Sequence, residues 1–413
     1  MNDGYKKPPL LDLVRRDKFE LRAVNDFIFL SQDVSNSHLI TTSDGDVLVN
    51  SGTTAGGKRH KELYSSVRTG DLKYALITQG HPDHFGGLAT LKEPGTQVIM
   101  QERNAEVRAY WLKLITFYSD RMDRIWSAGV KRDPATSWEG TPEQATDIVY
   151  ADDYKFEVGD RKFELYSTPG GETADSQVVW LPNERVVFTG NLFGPMFMNV
   201  PFLNTLRGDK IRSAVEYIAN VNKVKSLKPE LLITGHGDPV RGADLIEENL
   251  TRLGAAVQYI HDRTIEGMNA DKDVHTLMGE IKLPANLTLG EGHGKVSWAV
   301  RAIWVYYNGW FDFESTTDMY YVPFREVVDD LVEMAGGVDP LAARARKYVD
   351  ADSPLKALHL LDMALRVSPD HAPSLEVRKL ALEQLLTLGG RENLSETLLL
   401  ESAIAEVEKG LAK

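Results

Sequence analysis

Twice along this chain a set of short apolar runs broken by turn residues is followed by a helical segment and one more apolar run. DFIFLSQDVSNSHLITTSDGDVLVNSG, residues 26–52, reads as three short strands with an Asp-Gly turn near residue 45. LKYALITQG then reads as a strand ending in a loop, FGGLATLKE as a helix behind it and TQVIM as the next strand. Residues 101–145 read as a helical insertion rich in Trp, Tyr and Arg. The second round runs through YKFEVGDRKFELYSTPG and SQVVWLPNERVVFTGNLFG, a helix over 208–225 and the strand ELLITGHG. This order predicts an α/β fold: two sheets with helices outside them.

From about residue 270 the strand signals fade. PLKALHLLDMALRVSPDHAPSLEVRKLALEQLL has apolar residues at helical spacing, with a Ser-Pro-Asp break between two helices. We expect two domains, residues 1–270 and a mostly helical 271–413.

The strand ends carry the chemistry. In QGHPDHFGG the donors Gln79, His81, Asp83 and His84 fall within six residues at the end of an apolar run, and imidazole with carboxylate suits a borderline divalent ion such as zinc. Alone, such a loop is equally well a solvated turn. Three later strand ends add Glu172 in STPGGETADS, Asn191 in VFTGNLFG and His236 in LLITGHGDP. Each by itself reads as a cap or turn residue; together, four polar strand-end loops in this order point to a metal site.

With these residues the chain resembles the metallo-β-lactamase superfamily, whose hallmark is H-x-H-x-D-H followed by three later ligands. Glu172, where the wider superfamily generally has His, resembles the alkylsulfatase branch, as do NTLRGDKIRSA, VSWAVRAIWVYYNGWFD and EMAGGVDPLAARA. The resemblance implies a metallo-β-lactamase-like αββα sandwich followed by a smaller all-helical dimerization domain. It implies one metal position from Gln79, His81 and Glu172 and a second from Asp83, His84 and His236, with Asn191 bridging. It also makes Asp83 a catalytic residue, and it makes Arg207, with Asn204 and Tyr307, candidates for substrate binding. Two neutral amides, Gln79 and Asn191, stand where the pattern has His and a carboxylate, and both are weaker donors. Charge balance across the remaining carboxylates therefore predicts one tight ion, at the second position, with any further ion weak; zinc is expected, Mn2+ or Fe2+ remaining open.

The implied activity is metal-dependent hydrolysis of an ester of an apolar alcohol, an alkyl sulfate, by an activated water. Two alternatives stand beside it: a related metallohydrolase acting on a non-sulfate ester or amide, and a degenerate ligand-binding dimer without turnover. The aromatic run Trp298, Trp304, Tyr306, Tyr307, Trp310 and Phe311 is expected to wall the site, although helical spacing places most such rings in a core. Apolar faces over 271–413 predict a homodimer. A net charge of −13 without a Lys/Arg run argues against nucleic acid, and the absence of cysteine excludes disulfides and thiol nucleophiles. The N-terminal residues hold no apolar stretch of signal-peptide length and no segment approaches a membrane span, so a cytoplasmic protein is expected.

Overall fold

The computed structural model describes residues 6–14, 19–126 and 145–413. Strands β1 (Leu21–Ala23), β2 (Ile28–Gln32), β3 (Asn36–Thr42), β4 (Gly45–Val49), β5 (Leu72–Leu76), β6 (Gln97–Gln101) and β7 (Ile148–Tyr150) form one sheet in sequence order. Its first four strands pair antiparallel and the rest parallel. A second sheet has the order β13-β12-β11-β10-β9-β8, from β8 (Asp153–Val158), β9 (Arg161–Ser167), β10 (Gln177–Leu181), β11 (Val186–Gly190), β12 (Leu231–Thr234) and β13 (Val240–Arg241). Here β11 and β12 pair parallel and the other neighbours antiparallel.

The period-2 alternation of side chains builds the layers. On β10, Val179 and Leu181 join Ile28, Ile40, Val47, Leu76, Ile99, Phe163 and Phe188 in the core between the sheets. Val178 and Trp180 face the other way, into a cluster with Tyr217, Val221, Leu250, Val257 and Ile260 of the covering helices Ala214–Ser226 and Ala243–Asn269. Both faces of β10 are buried, and each large apolar side chain there stabilises the fold by about 1.5–3 kcal/mol.

By internal contacts the chain divides into two compact units, residues 9–120 with 132–306 and residues 1–8 with 121–131 and 307–413, taken over the described residues. The first runs past residue 270, where the strand signals end, because Leu277, Ile281, Leu289, Val296, Val300 and Ile303 pack into the outer cluster of the second sheet. The second includes consecutive packed helices: Val338–Asp350, Pro354–Val367 and Ala372–Leu388 meet around Ala345, Ala357, Leu361, Val377 and Ala381, and Leu394–Leu411 packs Val407 against Leu375 and Leu382. Pro354 at the first turn and Asn393 accepting the Glu396 N–H set two of the helix starts. The expected Ser-Pro-Asp break falls between the second and third of them.

Two local expectations change. The helix predicted over 208–225 begins at Ala214, because Ser213 is its N-cap and accepts the Glu216 N–H, leaving 208–212 as a loop. The insertion over 101–145 is helical in Asn104–Lys113 and Ile115–Trp126, and residues 127–144 lie outside the described residues.

Candidate metal centre

The expected donors come together at the carboxyl ends of strands, where loops are free to turn inward. His81 precedes the helical turn Pro82–Phe85 that follows β5, and that turn places Asp83 and His84 side by side. Asn191 follows β11 and His236 lies just beyond β12. Gly235 lets them close up: a Cβ there would stand 2.3 Å from Asn191 Oδ1 and 2.8 Å from His84 Cε1.

Asp83, His84 and His236 offer ligand atoms that all lie within 4.8 Å of one another. Asp83 Oδ2 is 3.4 Å from His84 Nε2 and 3.6 Å from His236 Nε2. His84 Nε2 is buried and has no hydrogen-bond partner among the described residues, so it is the ring atom left open toward Asp83. His236 Nδ1 donates to the Val34 carbonyl at 2.6 Å, so its Nε2 carries the lone pair, which accepts the Asn191 amide N–H at 3.2 Å. An ion here requires that amide to turn its buried, unpartnered Oδ1 to the centre, a turn that Gln79, with its oxygen committed, is denied. Burial opposes ionisation of Asp83, but His84, His236 and His81 outweigh it and hold the carboxyl below its ordinary range. Burial pushes His84 down to about 4, so it is neutral at physiological pH, as a ligand must be. These three residues fit a divalent ion.

The first position does not fit one. Gln79 Oε1 accepts the Asn191 backbone N–H at 3.0 Å, which turns its amide nitrogen toward His81 Nδ1, also at 3.0 Å. The one atom of Gln79 able to ligate is thus committed elsewhere, and the lone pair His81 would offer is met by an N–H. Glu172 is bound to guanidinium: its Oε2 is 3.2 Å from Arg212 Nη1 and its Oε1 is 3.9 Å from Arg207 Nη2. Burial raises the Glu172 carboxyl, yet Arg212, His81, His293 and Arg207 hold it ionised. His81 instead sits among charges, its Nδ1 3.7 Å from Glu172 Oε1 and its Nε2 3.8 Å from Asp209 Oδ2 and 3.4 Å from Arg207 Nη2.

Asp209, Arg212, Tyr110, Trp111 and His293 were not singled out in the sequence. Tyr110 Oη donates to Asp209 Oδ1 at 2.7 Å, and Trp111 stands edge-on to His81 and under Arg207, 5.7 and 5.5 Å away. The Ser213 cap would have released Asp209 and Arg212 from the predicted helix, and His293 in GEGHGK is flanked by glycines just as His236 is. Asn204, on the Arg207 loop, is exposed and joins none of these contacts. Trp298 stacks on Phe202 at 5.1 Å, whereas Trp304 packs against the outer core. Tyr307 is half-exposed near the end of the helix Val296–Asn308, and it falls with Trp310 and Phe311 in the other compact unit.

A family model described as the metallo-beta-lactamase superfamily matches residues 30–236, the span that carries β3 to β12 and the strand ends with Gln79, Glu172, Asn191 and His236. The chain belongs to the metallo-beta-lactamase superfamily. Within it, the alkylsulfatase-like branch is marked by a second family model, alkyl sulfatase dimerisation, over residues 274–403. The curated relatives of this superfamily member include a linear primary-alkylsulfatase of a Pseudomonas species, 26% identical over 84% of this chain and 69% of that protein. They include the alkyl/aryl-sulfatase BDS1 of Saccharomyces cerevisiae, 22% identical over 86% of this chain and 58% of its own length. Among solved structures, the stereoselective inverting sec-alkylsulfatase Pisa1 from Pseudomonas superposes with a TM-score of 0.82 at 21% identity, covering 95% of this chain and 66% of Pisa1. The chain is therefore shorter than these relatives, spanning between 58% and 69% of them.

Proposed function

We propose that the chain is a metal-dependent sulfuric ester hydrolase acting on alkyl sulfates, with one divalent ion, zinc, held by Asp83, His84 and His236. The observation that carries this reading is the convergence of those three ligand atoms within 4.8 Å of one another. A divalent ion held by these residues would supply an acidified water and a polarised electrophile. Asp83, besides ligating, accepts a hydrogen bond from the attacking water and so orients it. Arg207, about four-fifths buried, grips the sulfate with a planar two-donor fork that matches two of its oxygens. The apolar alcohol lies toward the Phe202–Trp298 stack.

The names of the relatives support this substrate class. The amides Gln79 and Asn191 favour a second reading, a ligand-binding protein without turnover. Zinc-loaded protein incubated with hexyl, octyl and decyl sulfate separates the two: sulfate release supports the hydrolase, and turnover confined to carboxylic esters or absent altogether removes it. The active species is a homodimer formed by the C-terminal helical region, which light scattering reads directly. No helix among the described residues is long and apolar enough to cross a membrane. A cytoplasmic location and a small-molecule partner, without nucleic acid, complete the proposal.

A further inference from the structure

We propose, resting on the hydrolase reading, that the first metal position has become an anion receptor built on Arg212 and Arg207, and that it takes no cation. Arg212 is 6% exposed. Its Nη1 serves both the Phe202 carbonyl, at 2.6 Å, and Glu172 Oε2, at 3.2 Å, while Nη2 is buried with no hydrogen-bond partner among the described residues. A guanidinium nitrogen left unpaired in a buried place is costly, and an anionic oxygen relieves it best. In the same expected metal position, Gln79 presents its NH2 to His81 Nδ1 and not its oxygen. Both groups supply donors where a cation would need acceptors.

Charge sets the class of anion. Glu172 and Asp209 face the guanidinium pair and Asp83 lies against His84 and His236, so three carboxylates and two guanidinium groups carry one negative charge before any ion binds. Lys210 and Glu106 pair with each other at the rim. Asp175, behind the site and held by Asn104 and Thr173, is pushed by burial toward its neutral form. One dication at Asp83, His84 and His236 turns the net charge to one positive, which a monoanion neutralises. A second dication would leave three uncompensated positive charges in a largely buried place. The site is therefore matched to a monoanionic tetrahedral head, as in a sulfate monoester, over a dianionic one such as a phosphate monoester.

Two measurements on zinc-loaded protein test this. Elemental analysis after dialysis against excess zinc should give one zinc per chain; two tightly held ions overturn the proposal. Calorimetric titration at pH 8.5 with octane-1-sulfonate and octylphosphonate should show the sulfonate bound about tenfold or more tightly, and Arg212→Gln should weaken it about tenfold without changing the zinc count. Equal binding of the two probes, or sulfonate binding indifferent to the loss of Arg212, overturns it. If Arg212→Gln does not fold, Arg207→Gln at the less buried position is read in the same way. Hydrolysis is scored separately. Protein that holds one zinc and selects the sulfonate without turning over any sulfate ester keeps the receptor and removes the hydrolase; turnover with two zinc ions does the reverse.

Discussion

His236 Nδ1 donates to the carbonyl oxygen of Val34 at 2.6 Å, across 202 residues of sequence. A carbonyl can only accept, so the ring proton is held on Nδ1 and the Nε2 lone pair is turned toward the Asn191 amide and Asp83, 3.2 and 3.6 Å away. The loop between β2 and β3 thereby orients a ligand that follows β12.

Removing that ligand distinguishes it from His81, which follows a strand of the other sheet. His236→Ala should lose both zinc and activity, whereas His81→Ala should keep one zinc per chain and lose activity, because His81 faces Gln79, Asp209 and Arg207 and not the three-ligand group. Elemental analysis beside a hydrolysis assay checks this, and loss of zinc from the His81 variant would return His81 to the ligand set.

Asn50 offers a handle on affinity. Its Oδ1 accepts the Thr78 N–H at 2.9 Å, so its amide nitrogen meets His84 Nδ1 at 3.1 Å. An imidazole that ligates through Nε2 carries its proton on Nδ1 and wants an acceptor there. Asn50→Asp should tighten zinc by about 10- to 100-fold in competition with a chromophoric chelator. Unchanged or weaker binding would show that His84 is not oriented from this side.

Gly235→Ala should damage the centre without unfolding the protein. The added methyl would stand 2.3 Å from Asn191 Oδ1 and 2.8 Å from His84 Cε1, so His84 must move. Zinc affinity and activity should fall at least about tenfold while the thermal midpoint shifts by only a few degrees. A variant that binds zinc as before would mean that the ligands tolerate the displacement.

Acid should destabilise the fold through two histidines remote from the ligands. Burial, with Arg22 and His60 nearby, lowers His38 to about 3; burial, partly offset by Asp33, lowers His60 to about 4. Both are neutral when folded. Below pH 6.5 the unfolded chain takes up protons that the folded chain refuses, so stability falls by about 1.4 kcal/mol per pH unit for each histidine until its folded value is reached. Urea midpoints between pH 7 and 5 should show this slope, and His38→Leu should remove one histidine's share of it, His84 and His293 being lowered likewise. A flat profile in the parent protein would mean that these rings protonate in place.

The helical region should hold two copies together. Trp310, Phe313, Tyr320 and Tyr321 are 79%, 84%, 69% and 95% exposed within the span matched by the dimerisation family. So much aromatic surface next to itself in sequence marks an association site. Light scattering at micromolar concentration should give a dimer, and Trp310→Ser with Tyr321→Ser should shift it toward monomer; a parent protein that is monomeric ends the proposal.

Much of the site was legible because its signals are local. A run of β-type residues ending in Gly, followed by His or Asp, places a donor at a strand end whatever else the chain does, and His81, Asp83, His84 and His236 were found this way. The cap formed by Ser213 and Glu216 was equally local; overlooked, it left Asp209 and Arg212 inside a predicted helix. His293 has the same glycine flanks as His236, but it precedes a helix and does not follow a strand, so strand-end reasoning passed over it.

By itself the sequence determined the two sheets, their order and the loops that carry the donors, because alternation and turn chemistry act over a few residues. Only the tertiary structure decided which donors can serve a metal. Gln79 is turned away by an N–H that comes from Asn191, 112 residues later, and Glu172 is taken by Arg212, 40 residues on. An amide or a carboxylate exposes whichever atom its neighbours leave free, and in a buried site those neighbours arrive from distant strands.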